Sequence, residues 1–114
     1  MENLVILTRT FDLLAWLIPK GEDFPRAFRA TVTARLLGAA LDLPELLLEA
    51  QSRRGQARRE RLAQADAALN KLRLFLRLAF QWRWLSAGQY QHVSLMVAEI
   101  GRILGGWIRQ SAGE

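Results

Sequence analysis

The chain has 114 residues, 51% of them apolar, and a net charge of +5, which suits one domain (residues 1–114) with a core of its own. It has no cysteine, which excludes disulfides and thiolate metal sites. It shows no signal peptide and no apolar run near the ~20 residues that span a bilayer, so we expect a cytoplasmic protein without a membrane partner.

Apolar residues recur at intervals of three and four, and no segment alternates with period two, so the sequence predicts an all-α, antiparallel four-helix bundle. The first helix is predicted over about residues 3–20. Its predicted inward face is Leu4, Leu7, Phe11, Leu14 and Ile18. Pro19 is expected to bend or end this helix, and Pro25 suits the first turn of the next one. The stretch WLIPKGEDFPR is therefore predicted to be a rigid corner.

The second helix is predicted over about residues 25–53. Its predicted apolar face is Phe28, Val32, Leu36, Ala39, Leu43, Leu46, Leu47 and Ala50. Pro44 lies inside this pattern, and because the apolar spacing resumes in phase after it, we expect a kink rather than an end. Gly55 is expected to stop the helix.

The third helix is predicted over about residues 56–85 and has two apolar faces. The first is Leu62, Ala65, Leu69, Leu72, Leu76 and Phe80. The second lies roughly opposite and consists of Leu74, Phe75, Leu78 and Trp82. Because a helix that is apolar on two sides needs two partners, we predict that the second face is an oligomer interface. The alternative is an amphipathic surface on a monomer.

The fourth helix is predicted over about residues 86–110. Ser86 and Gln89 have the spacing of a capping box. The predicted inner face is Val93, Met96, Val97, Ile100, Ile103, Leu104, Trp107 and Ile108. Glycines lie within the helix at positions 101, 105 and 106, and each costs up to ~1 kcal/mol relative to alanine, so we expect a close approach by a neighbouring helix or ring.

No recognisable catalytic or metal-binding motif is present in the sequence. His92 is the only histidine, and a metal site needs further ligands. Asp42, Glu45 and Glu49 share one helix face, where we expect solvation or pairing with an arginine of a neighbouring helix or subunit. We therefore predict a protein that is not an enzyme and that holds neither a metal nor a cofactor.

Basic residues are concentrated in the C-terminal half of the chain. Residues 1–52 carry five basic and seven acidic groups, whereas residues 53–114 carry eleven basic and four acidic groups. Clustered guanidinium groups attract phosphate backbones, although an ordinary solvated helix end is the simpler explanation. The predicted nucleic-acid-binding residues are Arg53, Arg54, Arg58, Arg59, Arg61, Lys71, Arg73, Arg77 and Arg83.

Several segments resemble a known family. They are residues 11–19, residues 24–26 with Arg29 and Arg35, residues 72–73 and 76–79, residues 85–86 with Gln89, Tyr90 and His92, and residues 99–108. With these segments the chain resembles the accessory variability determinant (Avd) proteins of diversity-generating retroelements. They belong to a wider four-helix-bundle family that includes the 23S ribosomal-RNA intervening-sequence proteins.

The resemblance, over about residues 3–109, implies a bundle that assembles as a homopentameric, barrel-like ring with a basic surface. It also implies a non-catalytic accessory protein that binds RNA and DNA, associates with the retroelement's reverse transcriptase and supports mutagenic cDNA synthesis. The arginines at 53–61 are not part of the shared motifs, so their predicted role rests on charge alone. Two alternatives remain open: an intervening-sequence-type bundle protein, and an oligomeric scaffold that binds only protein.

Overall fold

The computed structural model describes residues 2–114 and, over that range, contains helices and no strand. The long helices are α1 (Glu2–Glu22), α2 (Ala34–Ser52), α3 (Gly55–Gln81) and α4 (Ala87–Ser111). Each helix packs on its neighbour in the chain, and α1 also packs on α4, which closes a four-helix bundle. The bundle measures 45 × 25 × 19 Å, so its long dimension is about that of one helix. The predicted all-α bundle is confirmed.

The core face of α1 matches the predicted one only in part. Ile6, Leu13 and Leu17 are completely buried. Leu4 and Phe11, which the sequence predicts to face inward, are 60% and 70% exposed. The prediction is wrong for these two residues because the buried stripe is rotated by about 110° around the helix axis from the predicted one, at 100° per residue. Leu7 and Leu14 lie between the two stripes and pack, partly buried, against the core.

The misassignment has a physical cause in the buried stripe. It contains a threonine, Thr10, which is fully buried. Its hydroxyl donates a 2.7 Å hydrogen bond to the carbonyl oxygen of Ile6, so burial leaves no unsatisfied donor. The predicted stripe contains no polar residue. Its exposed members Leu4, Phe11 and Ile18 are called the outer α1 ridge.

The corner after α1 follows the prediction only in part. Pro19 does not end the helix, which continues to Glu22. The carbonyl that Pro19 leaves unpaired belongs to Ala15, an exposed residue, so water can satisfy it. Beyond it, a Cβ at Gly21 would lie 3.0 Å from Leu37 Cδ1, so glycine permits the close approach of α1 to α2.

The segment that was predicted to open the second helix is irregular. It consists of a 3₁₀ turn, Arg26–Phe28, and a π-helical segment, Arg29–Thr33, and regular α-helix begins at Ala34. Pro44 lies within α2 without ending it, as predicted. The buried residues of α2 that match the predicted face are Leu36, Ala39, Leu43, Leu47 and Ala50.

The turn between α2 and α3 contains a glycine in the left-handed region. Gly55 has a φ of 56° and is the first residue of α3, so it marks the turn rather than the last residue of α2. The predicted core face of α3 is buried from Leu62 to Leu76, whereas Phe80 is partly exposed. The helix ends at Gln81, four residues before the predicted end.

Helix α4 matches its prediction closely. The Ser86 hydroxyl accepts from the Gln89 N–H, and the Gln89 side chain accepts from the Ser86 N–H, which completes the capping box. Six residues of the predicted inner face are buried: Val93, Val97, Ile100, Ile103, Leu104 and Trp107. Within the described part of the chain, none of the helices combines the length and the apolarity needed to cross a bilayer.

Candidate nucleic-acid interface

The nine basic residues predicted to bind nucleic acid do not share one surface. Five belong to the turn between α2 and α3 and to the first turns of α3. Three lie along the rest of α3, where Lys71 is on the side of α2 while Arg73 and Arg77 are on the side of α4. Arg83 lies beyond α3, in the turn to α4. These groups differ in their neighbours and in how many of their hydrogen-bond donors are already bonded within the chain.

Arg58 binds the end of its own bundle. Its Nε donates to the carbonyl oxygen of Ala50 at 2.9 Å, and Nη2 donates to that of Gln51 at 3.4 Å. Its Nη1 lies 3.3 Å from the Glu114 carboxylate, and the side chain is only 18% exposed. Because the last carbonyls of a helix have no partners within it, a guanidinium at this position caps α2 and offsets the negative end of its dipole.

Other arginines of this turn are also bonded within the chain. Arg61 Nε lies 2.7 Å from Glu49 Oε1, and Arg53 Nη1 lies 3.7 Å from the same oxygen. Arg59 donates to the main-chain oxygen of Glu114 at 2.8 Å. The predicted pairing of the acidic face with arginine is therefore confirmed for Glu49. These contacts make the turn a structural cluster rather than a set of free cations.

One carboxyl group of this cluster has an altered pKa. The nearby Ser111 side chain lowers the pKa of Glu114, and the charge of Arg58 lowers it further. In contrast, the exposed Arg54 side chain makes no bond with any residue in the described range 2–114. Of the five arginines here, Arg54 is thus the one that keeps its donors available.

Arg73 and Arg77 line a cleft of about 340 Å³ between α3 and α4. Arg73 Nη1 donates to Asn70 Oδ1 at 2.8 Å, which orients the guanidinium. Arg77 is exposed and has no hydrogen-bond or ion-pair partner among the described residues. Tyr90 and Ser94, on the opposite wall, bring hydroxyl groups to the same cleft. Guanidinium and hydroxyl donors together are the usual ligands of a nucleic-acid phosphate.

Gly101 of α4 makes room for Arg73. A Cβ at this position would overlap the Arg73 guanidinium and would lie 3.4 Å from Leu69 Cδ2. The predicted close approach to the glycines of α4 is therefore confirmed at Gly101, where the approaching groups are side chains of α3. Sequence analysis did not assign Tyr90, Ser94 or Gly101 to the site, although the four-residue spacing of Tyr90 and Ser94 places them on one helix face.

Lys71 faces a different environment. It lines a cleft of about 320 Å³ between α2 and α3, together with Asp42, Glu45 and Glu49. The carboxylates of Asp42 and Glu45 on the opposite wall offset its charge and repel phosphate, whereas that of Glu49 is already paired with arginine. Lys71 therefore does not extend the surface that contains Arg73 and Arg77, and we call that surface the α3–α4 cleft.

Two further arginines, Arg9 of α1 and Arg102 of α4, lie near Glu99 on the surface of the bundle. Arg102 forms an ion pair with Glu99 at 2.7 Å. The hydrogen bond from Arg102 is the main reason that the pKa of Glu99 is lowered, and the charge of Arg9 on α1 adds to it. The spacing of Glu99 and Arg102 indicates a pair within one helix, but the contribution of Arg9 depends on the packing of α1.

The four residues predicted to form the oligomer interface differ in their surroundings. Leu74 is 64% exposed and lies on the outer side of α3. Phe75 and Leu78 are half-buried. Trp82 is 45% exposed, but its ring packs on other aromatic rings at the end of the bundle. Leu74 is thus the best placed of the four to contact another protein.

These features define a four-helix bundle with a cationic cleft on one side and apolar residues on several outer faces. Among the residues that the structure describes, no three of the His, Asp and Glu side chains are grouped as metal ligands would be. The model of the bAvd-like family matches residues 4–111, and the chain belongs to that family. At the level of the family, this indicates an accessory role in diversity-generating retroelements.

A solved structure supports the fold. A protein of unknown function from the S23 ribosomal protein family of Bacteroides thetaiotaomicron superposes with a TM-score of 0.86. The alignment covers 96% of this chain and 99% of that chain at 14% sequence identity, so the likeness shows the fold alone. No curated protein matches the chain.

Proposed function

We propose that the chain is a non-catalytic, nucleic-acid-binding accessory subunit of a diversity-generating retroelement. It associates with the reverse transcriptase of the element and supports mutagenic cDNA synthesis. Membership of the bAvd-like family supports this assignment. The structural observation that carries it is the α3–α4 cleft, where Arg77 has no partner in the described range and Arg73 is held in place by Asn70.

The cleft is suited to phosphate because part of its geometry is already fixed. Arg73 loses little side-chain freedom on binding, because its guanidinium is hydrogen-bonded to Asn70 and fits into the space above Gly101. Arg77 supplies a second guanidinium four residues later, about 6 Å along the same helix. Such contacts hold RNA or cDNA by the backbone and read little sequence, as an accessory subunit that handles both template and product requires.

We further propose that the subunit assembles as a homopentameric ring. A ring of more than two copies needs two different complementary surfaces on each copy. The outer α1 ridge and Leu74 of α3 are two such apolar surfaces. They lie on diagonally opposed helices, since α1 and α3 are separated by α2 and α4. Assembly would repeat the α3–α4 cleft around one axis and strengthen the field that attracts a polyanion.

The contact with the polymerase would use surfaces that the ring leaves outside. Leu41 and Leu48 of α2 and Leu95 of α4 are exposed leucines on those remaining faces. Co-expression with a reverse transcriptase from a retroelement, followed by size-exclusion chromatography, tests this part. Co-elution that is lost in Leu95→Asp but retained in Gln91→Asp would support docking through α4. Equal co-elution of both variants would contradict it.

The test of nucleic-acid binding is a fluorescence anisotropy titration of labelled RNA and its cDNA hybrid across a salt series. Arg77→Ala is compared with Lys71→Ala, which removes one charge from the opposite side of the same helix. We expect Arg77→Ala to reduce the slope of log affinity against log salt by ~0.9 per phosphate contact on duplex and ~0.7 on single strands. Lys71→Ala should change it less. Absence of binding at low salt would refute the proposal and favour a protein-only scaffold.

A further inference from the structure

Four aromatic side chains form a cluster at the end of the bundle where α3 turns into α4. We call Phe24, Phe28, Trp82 and Trp84 the aromatic end cluster. The Phe24 and Trp84 ring centroids are 5.3 Å apart, as are those of Phe28 and Trp84. Trp82 packs on Phe28 at 5.4 Å and meets Trp84 edge-on at 5.5 Å. The cluster joins the corner after α1 to the α3–α4 turn.

Trp82 is the outermost ring of this cluster. Phe24 is buried and Phe28 and Trp84 are half-buried, whereas Trp82 remains 45% exposed. Its position is fixed from behind, because Phe28 and Trp84 contact it from two directions. A large aromatic surface that is both exposed and held rigid needs little ordering when a planar ligand stacks on it.

The next residue, Arg83, has a backbone conformation that arginine rarely adopts. Its φ is 65°, in the left-handed region, and it is the only non-glycine residue of the described range with a positive φ. It occupies the glycine position of a Schellman motif, in which the Trp84 N–H donates to Ala79 and the Arg83 N–H donates to Phe80. Glycine would adopt this conformation without strain.

The side chain of Arg83 gives no structural reason for this choice. It makes no hydrogen bond, ion pair or ring contact with the residues in 2–114. A strained backbone at a residue whose side chain makes none of these contacts is the kind of outlier that points to a functional role. In the chain, it directly follows the exposed ring of Trp82.

The charge around the cluster also favours an anion. Arg26 and Arg29 flank Phe28 in the chain, are exposed and have no side-chain partner among the described residues. Glu22 and Asp23 lie at the same end of the bundle. With Arg83, the three arginines at this end outnumber these two carboxylates. The N-terminus of α4, which begins at Ala87, adds the positive end of a helix dipole close to Arg83.

We propose that Trp82 and Arg83 form a binding site for an unpaired base of single-stranded nucleic acid. The base stacks on the exposed face of Trp82, and the Arg83 guanidinium binds an adjacent phosphate. Stacking on an aromatic ring accepts any base and excludes paired ones, because a base within a duplex has no free face. This inference rests on the proposed nucleic-acid-binding function and adds a preference for single strands to it.

The test compares three labelled probes of equal length by anisotropy: a single-stranded oligonucleotide, its duplex, and a single strand in which the bases are replaced by abasic sites. Trp82→Leu removes the ring, and Trp82→Phe keeps a smaller one. We expect Trp82→Leu to weaken binding of the single strand about tenfold, the loss typical of one base–aromatic contact. Duplex and abasic binding should stay within twofold, and Trp82→Phe should restore most of the affinity.

A second variant, Arg83→Gly, distinguishes a loss of binding from a loss of folding. Arg83→Gly should melt at or above the temperature of the unaltered protein, because it relieves the strained φ. It should nevertheless weaken binding of the single strand and lower its salt slope by ~0.7, as expected for one lost phosphate contact. A variant that is more stable and yet binds less strongly cannot be explained by unfolding.

The outcomes separate this inference from the proposed function. If the unaltered protein binds none of the probes at low salt, the nucleic-acid-binding function fails and this site fails with it. If it binds but Trp82→Leu weakens all three probes equally or none, the base-stacking site alone is refuted. If Trp82→Leu lowers the mass of the oligomer in light scattering, the ring belongs to a protein interface and the site is likewise refuted.

Discussion

Replacing Arg58 by alanine should destabilise the bundle, although the sequence predicts a nucleic-acid-binding residue. The change removes hydrogen bonds to the last carbonyls of α2, at 2.9 and 3.4 Å, and the ion pair with Glu114 at 3.3 Å. Hydrogen bonds that involve a charged group contribute ~1.5–3 kcal/mol, but water can reach the freed carbonyls, so we expect a net loss of about 1–2 kcal/mol. This corresponds to a fall in Tm of about 4–8 °C.

The matched control is Arg54→Ala, which removes the same charge from an exposed position in the same turn. Its unfolding free energy should stay within about 0.5 kcal/mol of the unaltered protein. Urea unfolding of both variants at one protomer concentration measures the difference, which corresponds to a midpoint shift of about 0.5–1.5 M for Arg58→Ala. Equal midpoints for the two variants would refute the structural role of Arg58.

Three further predictions test other parts of the structure. Gly101→Ala should leave the unfolding free energy within about 1 kcal/mol, because alanine favours the helix, but its Cβ displaces the Arg73 guanidinium and RNA affinity in anisotropy should fall. Phe11→Ser should reduce the oligomer mass in light scattering without lowering monomer stability, since Phe11 is 70% exposed. In contrast, Leu13→Ala should lower the free energy of unfolding by ~2–5 kcal/mol, because Leu13 is completely buried. The pKa of Glu114 is lowered in the folded state, so its stabilising effect is complete above the ordinary value of 4.5 and is lost as the pH falls through the lowered value. Glu114→Gln should remove this part of the acid dependence in urea unfolding.

Helices α2, α3 and α4 could be predicted from the sequence because each core face is a continuous apolar stripe. The stripe of α4 agrees with a capping box at Ser86, and two independent signals then fix the same helix. The first helix could not be read in this way. Its buried stripe includes Thr10, and a hydroxyl satisfied by its own helix has no signature in an apolar pattern. The stripe without a polar residue is the one in which Leu4, Phe11 and Ile18 are exposed.

The candidate site was predictable only as a set of charges. The sequence shows where arginines are but not which of them are bonded. The Arg58 and Glu114 pair spans 56 positions of the chain, so it depends on the closure of α4 against the start of α3. The role of Gly101 depends in the same way on Arg73. A glycine within a helix can be explained only once the group that packs against it is known.

The two ends of the bundle therefore use arginine differently. At the end that contains the α2–α3 turn, Arg53, Arg58 and Arg61 are bonded to carboxylates or helix carbonyls. At the opposite end, the side chains of Arg26 and Arg83 have no partner among the described residues and lie by exposed aromatic rings. A phosphate at the first end must compete with ion pairs already formed, whereas a phosphate at the second end displaces only water. The expected binding surface thus runs from the α3–α4 cleft towards the α3–α4 turn and away from the turn that has the highest density of arginine in the sequence.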